Sequence, residues 1–169
     1  MSEKKNLLDD AGVQKLKELV NTTPACMFGT RLGQVPMHLC PMQVQQVDRE
    51  GGIWFFSGAD SSHNGHIAKD PRVQLIFGNA SEFEYLTVYG EAVISRDPQQ
   101  IDDLWNKMVE AWFPGGQNDP NLTLVRVIPY AAHYWETKDG KLVTIAKMIT
   151  AAATGSSSEV GVQGDIIVN

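Results

Sequence analysis

Ile53-Trp54-Phe55-Phe56-Ser57-Gly58-Ala59-Asp60-Ser61-Ser62-His63-Asn64-Gly65-His66-Ile67-Ala68-Lys69-Asp70-Pro71-Arg72-Val73 is the stretch around which the rest of the chain organises. Its first four residues are β-branched or aromatic and predict a strand. Gly58 to Ser61 supplies a turn, and Ser61 or Ser62 caps a short helix that must stop at Asp70-Pro71, because the residue before a proline avoids the α region. Val73 then opens another strand. A strand that delivers a hydroxyl to the N-terminus of a helix meets free N–H groups and the positive end of a dipole. Ser57, Ser62, His63 and backbone amides are therefore candidates to hold a phosphate, with an aromatic edge nearby. Residue chemistry alone favours the plainer alternative, serines as caps and phenylalanines as core.

Upstream, Asp9 or Asp10 caps a helix in which Val13, Leu16, Leu19 and Val20 recur at helical spacing, and Asn21-Thr22-Thr23-Pro24 ends it. Ala25–Thr30, Met37–Val47 and Ile53–Ser57 read as strands, with Pro41 expected at an edge or bulge because it donates no ladder bond. Downstream, Val73–Phe77 and Tyr85–Ile94 form a hairpin. Asp97-Pro98 opens a helix whose stripe Ile101, Leu104, Trp105, Met108 and Trp112 runs to Pro114-Gly115-Gly116. Trp105 and Met108 are read as core on that stripe, and Glu82 and Glu84 as a solvated hairpin. Leu122–Ile128, Ala132–Thr137 and Lys141–Ile145 are expected as closing strands, the last two joined across Asp139-Gly140. Six or seven strands without βαβ alternation predict an α+β, mainly β protein built on an antiparallel sheet or barrel with flanking helices.

The 169 residues, 43 % hydrophobic and 20 % charged, fit one domain over residues 1–153. A flexible tail over 154–169 carries a short terminal strand at Asp165–Val168. Fourteen basic against twenty acidic residues leave a charge of −6, which argues against nucleic acid or an anionic membrane as partner. Two cysteines, no apolar h-region and no run of about 18 apolar residues make the cytoplasm the expected compartment. There is no P-loop, G-x-G-x-x-G, G-x-S-x-G or H-E-x-x-H.

Pro41-Met42, Trp54-Phe55-Phe56-Ser57, the Asp-Ser-Ser-His run and Asp70-Pro71-Arg72-Val73 stand in a distinctive order. Tyr89-Gly90-Glu91-Ala92, Trp112-Phe113-Pro114, Val125 to Pro129 and Tyr134-Trp135 follow. Over residues 8–150 this order resembles the general stress protein branch of the pyridoxamine 5′-phosphate oxidase-like family of FMN-binding split β-barrels. The resemblance implies a homodimer of six- to seven-stranded split barrels with FMN at the subunit interface. Cys40, Pro41 and Met42 would line the isoalloxazine edge. Phe56, Ser57, Ser62, His63 and Asn64 would surround the phosphate arm. Trp112, Trp135 and Tyr85 of the second subunit would close the site. It also implies an oxidoreductase whose chemistry belongs to the flavin. Authentic pyridoxamine-phosphate oxidation is not expected, since Ala146 to Asn169 offers no Arg/His substrate clamp.

Two positions depart from the family pattern: Cys40 stands where an arginine is usual, and Asn64 where a lysine is usual. At roughly 1.5–3 kcal/mol per charge-assisted hydrogen bond, losing both cations weakens FMN about a hundredfold unless Arg31, Lys69 or Arg72 compensates. His38 and Cys40 (i, i+2 on a strand) and His63 and His66 (i, i+3 on a helix) also have the composition of a metal site. Their spacing is looser than metal motifs show, so no metal is assigned. The remaining alternatives are a non-catalytic flavin or phosphate-ligand module and a degenerate dimer with an empty pocket.

Overall fold

The computed structural model describes residues 3–4, 7–137, 140–154 and 161–167. Strands β1 (Glu3–Lys4), β2 (Leu7–Leu8), β3 (Ala25–Thr30), β4 (His38–Val47), β5 (Ile53–Gly58), β6 (Arg72–Asn79), β7 (Glu84–Ser95), β8 (Leu122–Thr137) and β9 (Gly161–Ile167) make one sheet. Helices α1 (Asp9–Thr22), α2 (Ser62–Ile67), α3 (Pro98–Leu104), α4 (Lys107–Glu110) and α5 (Lys141–Thr154) flank it. Neighbours run in the order β8-β5-β4-β3-β6-β7, and β7 returns to pair with β8. Six antiparallel strands thus close a barrel, which removes the free edges an open sheet would expose. β9 extends the sheet by pairing antiparallel with the far half of β8, and β1 and β2 lie parallel on β9.

Alternation along the strands decides which side chains fill the barrel. Ile53 and Phe55 of β5, Val73, Leu75 and Phe77 of β6, Leu86 and Val88 of β7 and Val125 and Val127 of β8 all point inward and are buried. Phe28 meets Phe55 edge to face with ring centroids 5.3 Å apart. Leu16, Leu19 and Val20 of α1 join the same cluster. Each such side chain contributes about 1.5–3 kcal/mol on burial. A second cluster covers the outer face of β5 and β8: Ile101, Leu104, Val109, Phe113, Leu122 and Leu124, with Trp54, Phe56 and Trp105 at its margin. This second layer positions the site.

Several expectations change. Leu122–Ile128 and Ala132–Thr137 are one sixteen-residue strand, continuous through Pro129. The missing N–H of Pro129 is absorbed where the β7–β8 register slips between Tyr89 and Gly90. Lys141–Ile145 is the start of helix α5, not a strand, and the alanine-rich continuation at Ala146 and Ala151 to Ala153 favours helix. Of the turn expected at Asp139-Gly140, Asp139 lies outside the described residues. The helix expected from Asp97 to Trp112 breaks at Trp105. There Asn106 starts a second helix by accepting from the N–H groups of Met108 and Val109. Glu84 is not simply solvated: its Oε2 is buried without a partner among the described residues. Of the expected tail, residues 155–160 lie outside the described residues, and β9 seats Ile166, fully buried, in the barrel cluster. Pro41 does sit where β4 lacks its second neighbour, because β5 pairs with β4 only from Val44 onward.

Candidate ligand-binding site

The end of β5 and the start of α2 are locked by a chain of hydrogen bonds. Ser61 is the N-cap, extended at φ −66° and ψ 146°, and its hydroxyl accepts from the Asn64 N–H. The Asn64 side chain turns inward, only 5 % exposed. Its Oδ1 accepts from the Ser57 hydroxyl at 2.8 Å and its Nδ2 donates to Thr123 Oγ1 at 3.0 Å. Thr123 in turn donates to the Ser57 carbonyl at 2.7 Å. With the Ser57 proton committed to Asn64, Ser57 Oγ accepts from His63 Nε2 at 2.6 Å. His63 Nε2 also lies 3.1 Å from Ser61 Oγ, and its Nδ1 faces the Cys40 thiol at 3.6 Å. The network therefore places a proton on His63 Nε2.

His63 and Ser57 form the polar end of a cavity of about 400 Å3. Pro41, Met42, Gln43 and Gln45 of β4, Phe56 and Gly58 of β5 and Ala25 of β3 supply one side. Met108 and Val109 of α4, with Trp112 and Phe113 after it, supply the other. Of the residues expected at the site, Pro41, Met42, Phe56, Ser57, His63 and Trp112 come together here, and Cys40 touches it through His63. Trp112 reaches the cavity from its own chain. Ser62 is exposed on the first turn of α2, and Asn64 faces the interior. Tyr85 and Trp135 lie elsewhere, as a cross-strand pair on the outer face of β7 and β8, 42 % and 39 % exposed. Met108, expected in the core, is 64 % exposed and lines the cavity. Gln43 and Gln45 were legible from alternation with Pro41. Met108, Val109 and Phe113 were hidden by the assumption of one unbroken helix.

Residues 11–159 match the family described as pyridoxamine 5′-phosphate oxidase like. The chain belongs to this oxidase-like family. Protein bli-3 of Neurospora crassa is 22 % identical over 161 residues, 89 % of this chain and 77 % of that protein. General stress protein 26 of Bacillus subtilis is 32 % identical over 66 residues, 37 % of this chain and 46 % of that protein. Among solved structures, one assigned as general stress protein 26 of Jannaschia sp. CCS1 superposes with a TM-score of 0.75 at 23 % identity, covering 94 % of this chain and 99 % of that one. The general stress FMN/FAD binding protein of Xanthomonas citri superposes with a TM-score of 0.64 at 29 % identity, covering 74 % and 87 %.

In this oxidase-like barrel the charges near the cavity are sparse. No Lys, Arg, Asp or Glu is among the described residues that line it. Burial, and then repulsion from His38 and His66 wherever those rings carry a proton, hold His63 below the ordinary imidazole range, so it is neutral near pH 7. Burial pushes the Cys40 thiol up, and Cys26, deeper in the barrel, up to about 12. Neither cysteine has the electropositive setting of a reactive thiolate. The His/Cys quartet divides into two pairs: Cys40 with His63, and His38 with His66, whose rings meet edge to face at 4.9 Å. Among the described residues no group of three or more His, Cys, Asp or Glu is placed to hold a metal ion. No helix among them is long and apolar enough to cross a membrane.

Proposed function

We propose that this oxidase-like chain is a cytoplasmic homodimer that binds flavin mononucleotide and presents it for electron transfer. The observation that carries the proposal is the cavity itself, apolar along its walls and polar at one end. Its volume of about 400 Å3 lies in the range of ligand sites, roughly 300–1,000 Å3. Met42, Phe56, Val109 and Trp112 would hold a planar ring. Ser57, Ser61 and His63 would receive the phosphate, His63 turning its Nε2–H from Ser57 to the ligand. The flavin would supply the hydride or electron chemistry, and the protein's residues bind it, orient it and exclude water. The FMN/FAD binding named for the Xanthomonas citri relative supports the same ligand class.

A second copy has a surface to occupy. Met27, Leu39, Ile76, Tyr85 and Trp135 are each 39–43 % exposed. Met27 pairs with Ile76, and Tyr85 with Trp135, across neighbouring strands, so they share the outer face of the barrel. That face runs into the cavity at Pro41, the cross-strand partner of Met27. A twofold pairing there would bring the partner copy's Tyr85 and Trp135 toward the cavity mouth. Titration of purified protein with FMN, read by flavin absorbance and tryptophan quenching, tests the assignment. Saturable binding of one flavin per chain is expected; a protein that ignores added FMN overturns it.

A second reading, a flavin carrier without turnover, is favoured by the absence of Lys, Arg, Asp and Glu from the described lining. Failure of reduced nicotinamide to bleach bound flavin selects the carrier.

A further inference from the structure

α2 separates the flavin cavity from a second one of about 500 Å3, lined by Arg31, Gly33, Gln34, His66, Lys69, Asp70 and Arg72. The chain carries a net charge of −6, yet three cations meet here against one carboxylate. That carboxylate is engaged: Arg72 grips Asp70 through Nε at 2.9 Å and Nη2 at 2.7 Å. Arg31 and Lys69 have no ion-pair partner among the described residues. Arg31 holds a left-handed backbone at φ 58°, a region non-glycine residues rarely adopt and one that recurs at ligand clamps. The turn fixes it twice, with Gln34 N–H donating to the Arg31 carbonyl at 2.9 Å and Arg31 Nε donating to Gln34 Oε1 at 2.6 Å.

His66 completes the set. Thr30, fully buried, places its hydroxyl 2.9 Å from His66 Nδ1 and 3.4 Å from His38 Nδ1. One hydroxyl proton serves one acceptor, and the shorter contact gives it to His66. His66 then keeps its own proton on Nε2, a nitrogen with no partner among the described residues. Burial and the nearby His38, Arg31 and Lys69 also keep this ring neutral near pH 7. A guanidinium fork, an ammonium and an imidazole N–H around one concavity suit a tetrahedral dianion. We infer that this groove is an anion site, separate from the flavin cavity and independent of it, that takes a phosphoryl group.

Inorganic phosphate, then pyrophosphate, should be titrated into the protein at constant ionic strength while the imidazole resonances are followed by NMR, His66→Gln and His63→Gln supplying the assignments. His66 should shift saturably, and Arg31→Gln with Lys69→Gln should weaken the apparent affinity at least tenfold. Both substituted side chains are exposed, and an unchanged far-UV spectrum confirms the fold. Three outcomes overturn the inference: no saturable His66 shift, an affinity unchanged in the double variant, or a shift of His63 without His66, which would send the phosphate to the first cavity.

Discussion

His63 is where the chemistry of this chain turns. Its ring, not the side chain of residue 64, faces the cavity, so the missing cation should be sought at 63. Asn64→Lys would bury an ammonium among Ser57 and Thr123 and break two hydrogen bonds. It should cost about 2–4 kcal/mol in urea unfolding and bring no gain in FMN affinity. His63→Lys, facing the ligand, should tighten FMN about tenfold in the same titration, one charge-assisted bond being worth roughly 1.5 kcal/mol or more. The pH dependence has a definite sign. His63 is depressed in the folded chain relative to an unfolded value near 6.5. Below about pH 6.5 the unfolded chain therefore binds more protons, and stability, complete above that pH, falls as pH drops toward the folded value. Urea midpoints of the apoprotein between pH 7.5 and 5 should show this slope, flattened in His63→Gln. FMN binding should move the opposite way and tighten on acidification, since a protonated ring favours the phosphate.

At the scale of elements, the strand-turn-helix from β5 through α2 was legible because period-2 alternation, a capping serine and Asp70-Pro71 all agree there. β8 was not: Pro129 reads locally as a strand end, and only the register slip opposite Gly90 shows how the strand passes through it. The break after α3 was hidden for a similar reason. Leu104, Trp105 and Met108 satisfy a helical stripe, whereas Asn106 is recognisable as a cap only once its side chain is seen accepting from Met108 and Val109. Asn106→Ala should lower stability by about 1 kcal/mol and also weaken FMN, because Met108, Val109 and Trp112 all follow that cap. Melting curves and the FMN titration report the two effects separately. Gly90→Ala should be more damaging. A Cβ there would lie 2.2 Å from the Ile128 carbonyl oxygen, a backbone atom that moves only if β8 does. A loss of about 3 kcal/mol or more in thermal unfolding is expected.

The whole molecule presents one apolar face beside its cavity, and a charge placed at its middle tests what covers it. If a second copy covers it as proposed, Ile76→Lys, which leaves the inward pattern of β6 untouched, should preserve the far-UV spectrum while light scattering reports monomer in place of dimer. The lock on the cavity has a consequence for the order of synthesis. Every residue that lines the cavity has been made by Phe113, yet Thr123, which ties Ser57 and Asn64 together, lies 66 residues beyond Ser57. A nascent chain stopped at residue 121 would hold every residue of its own that lines the cavity and none of the strand that fixes Ser57 and Asn64 in place. If the cavity takes flavin as proposed, its capture waits for β8, which supplies Thr123 and pairs with both β5 and β7 to close the barrel.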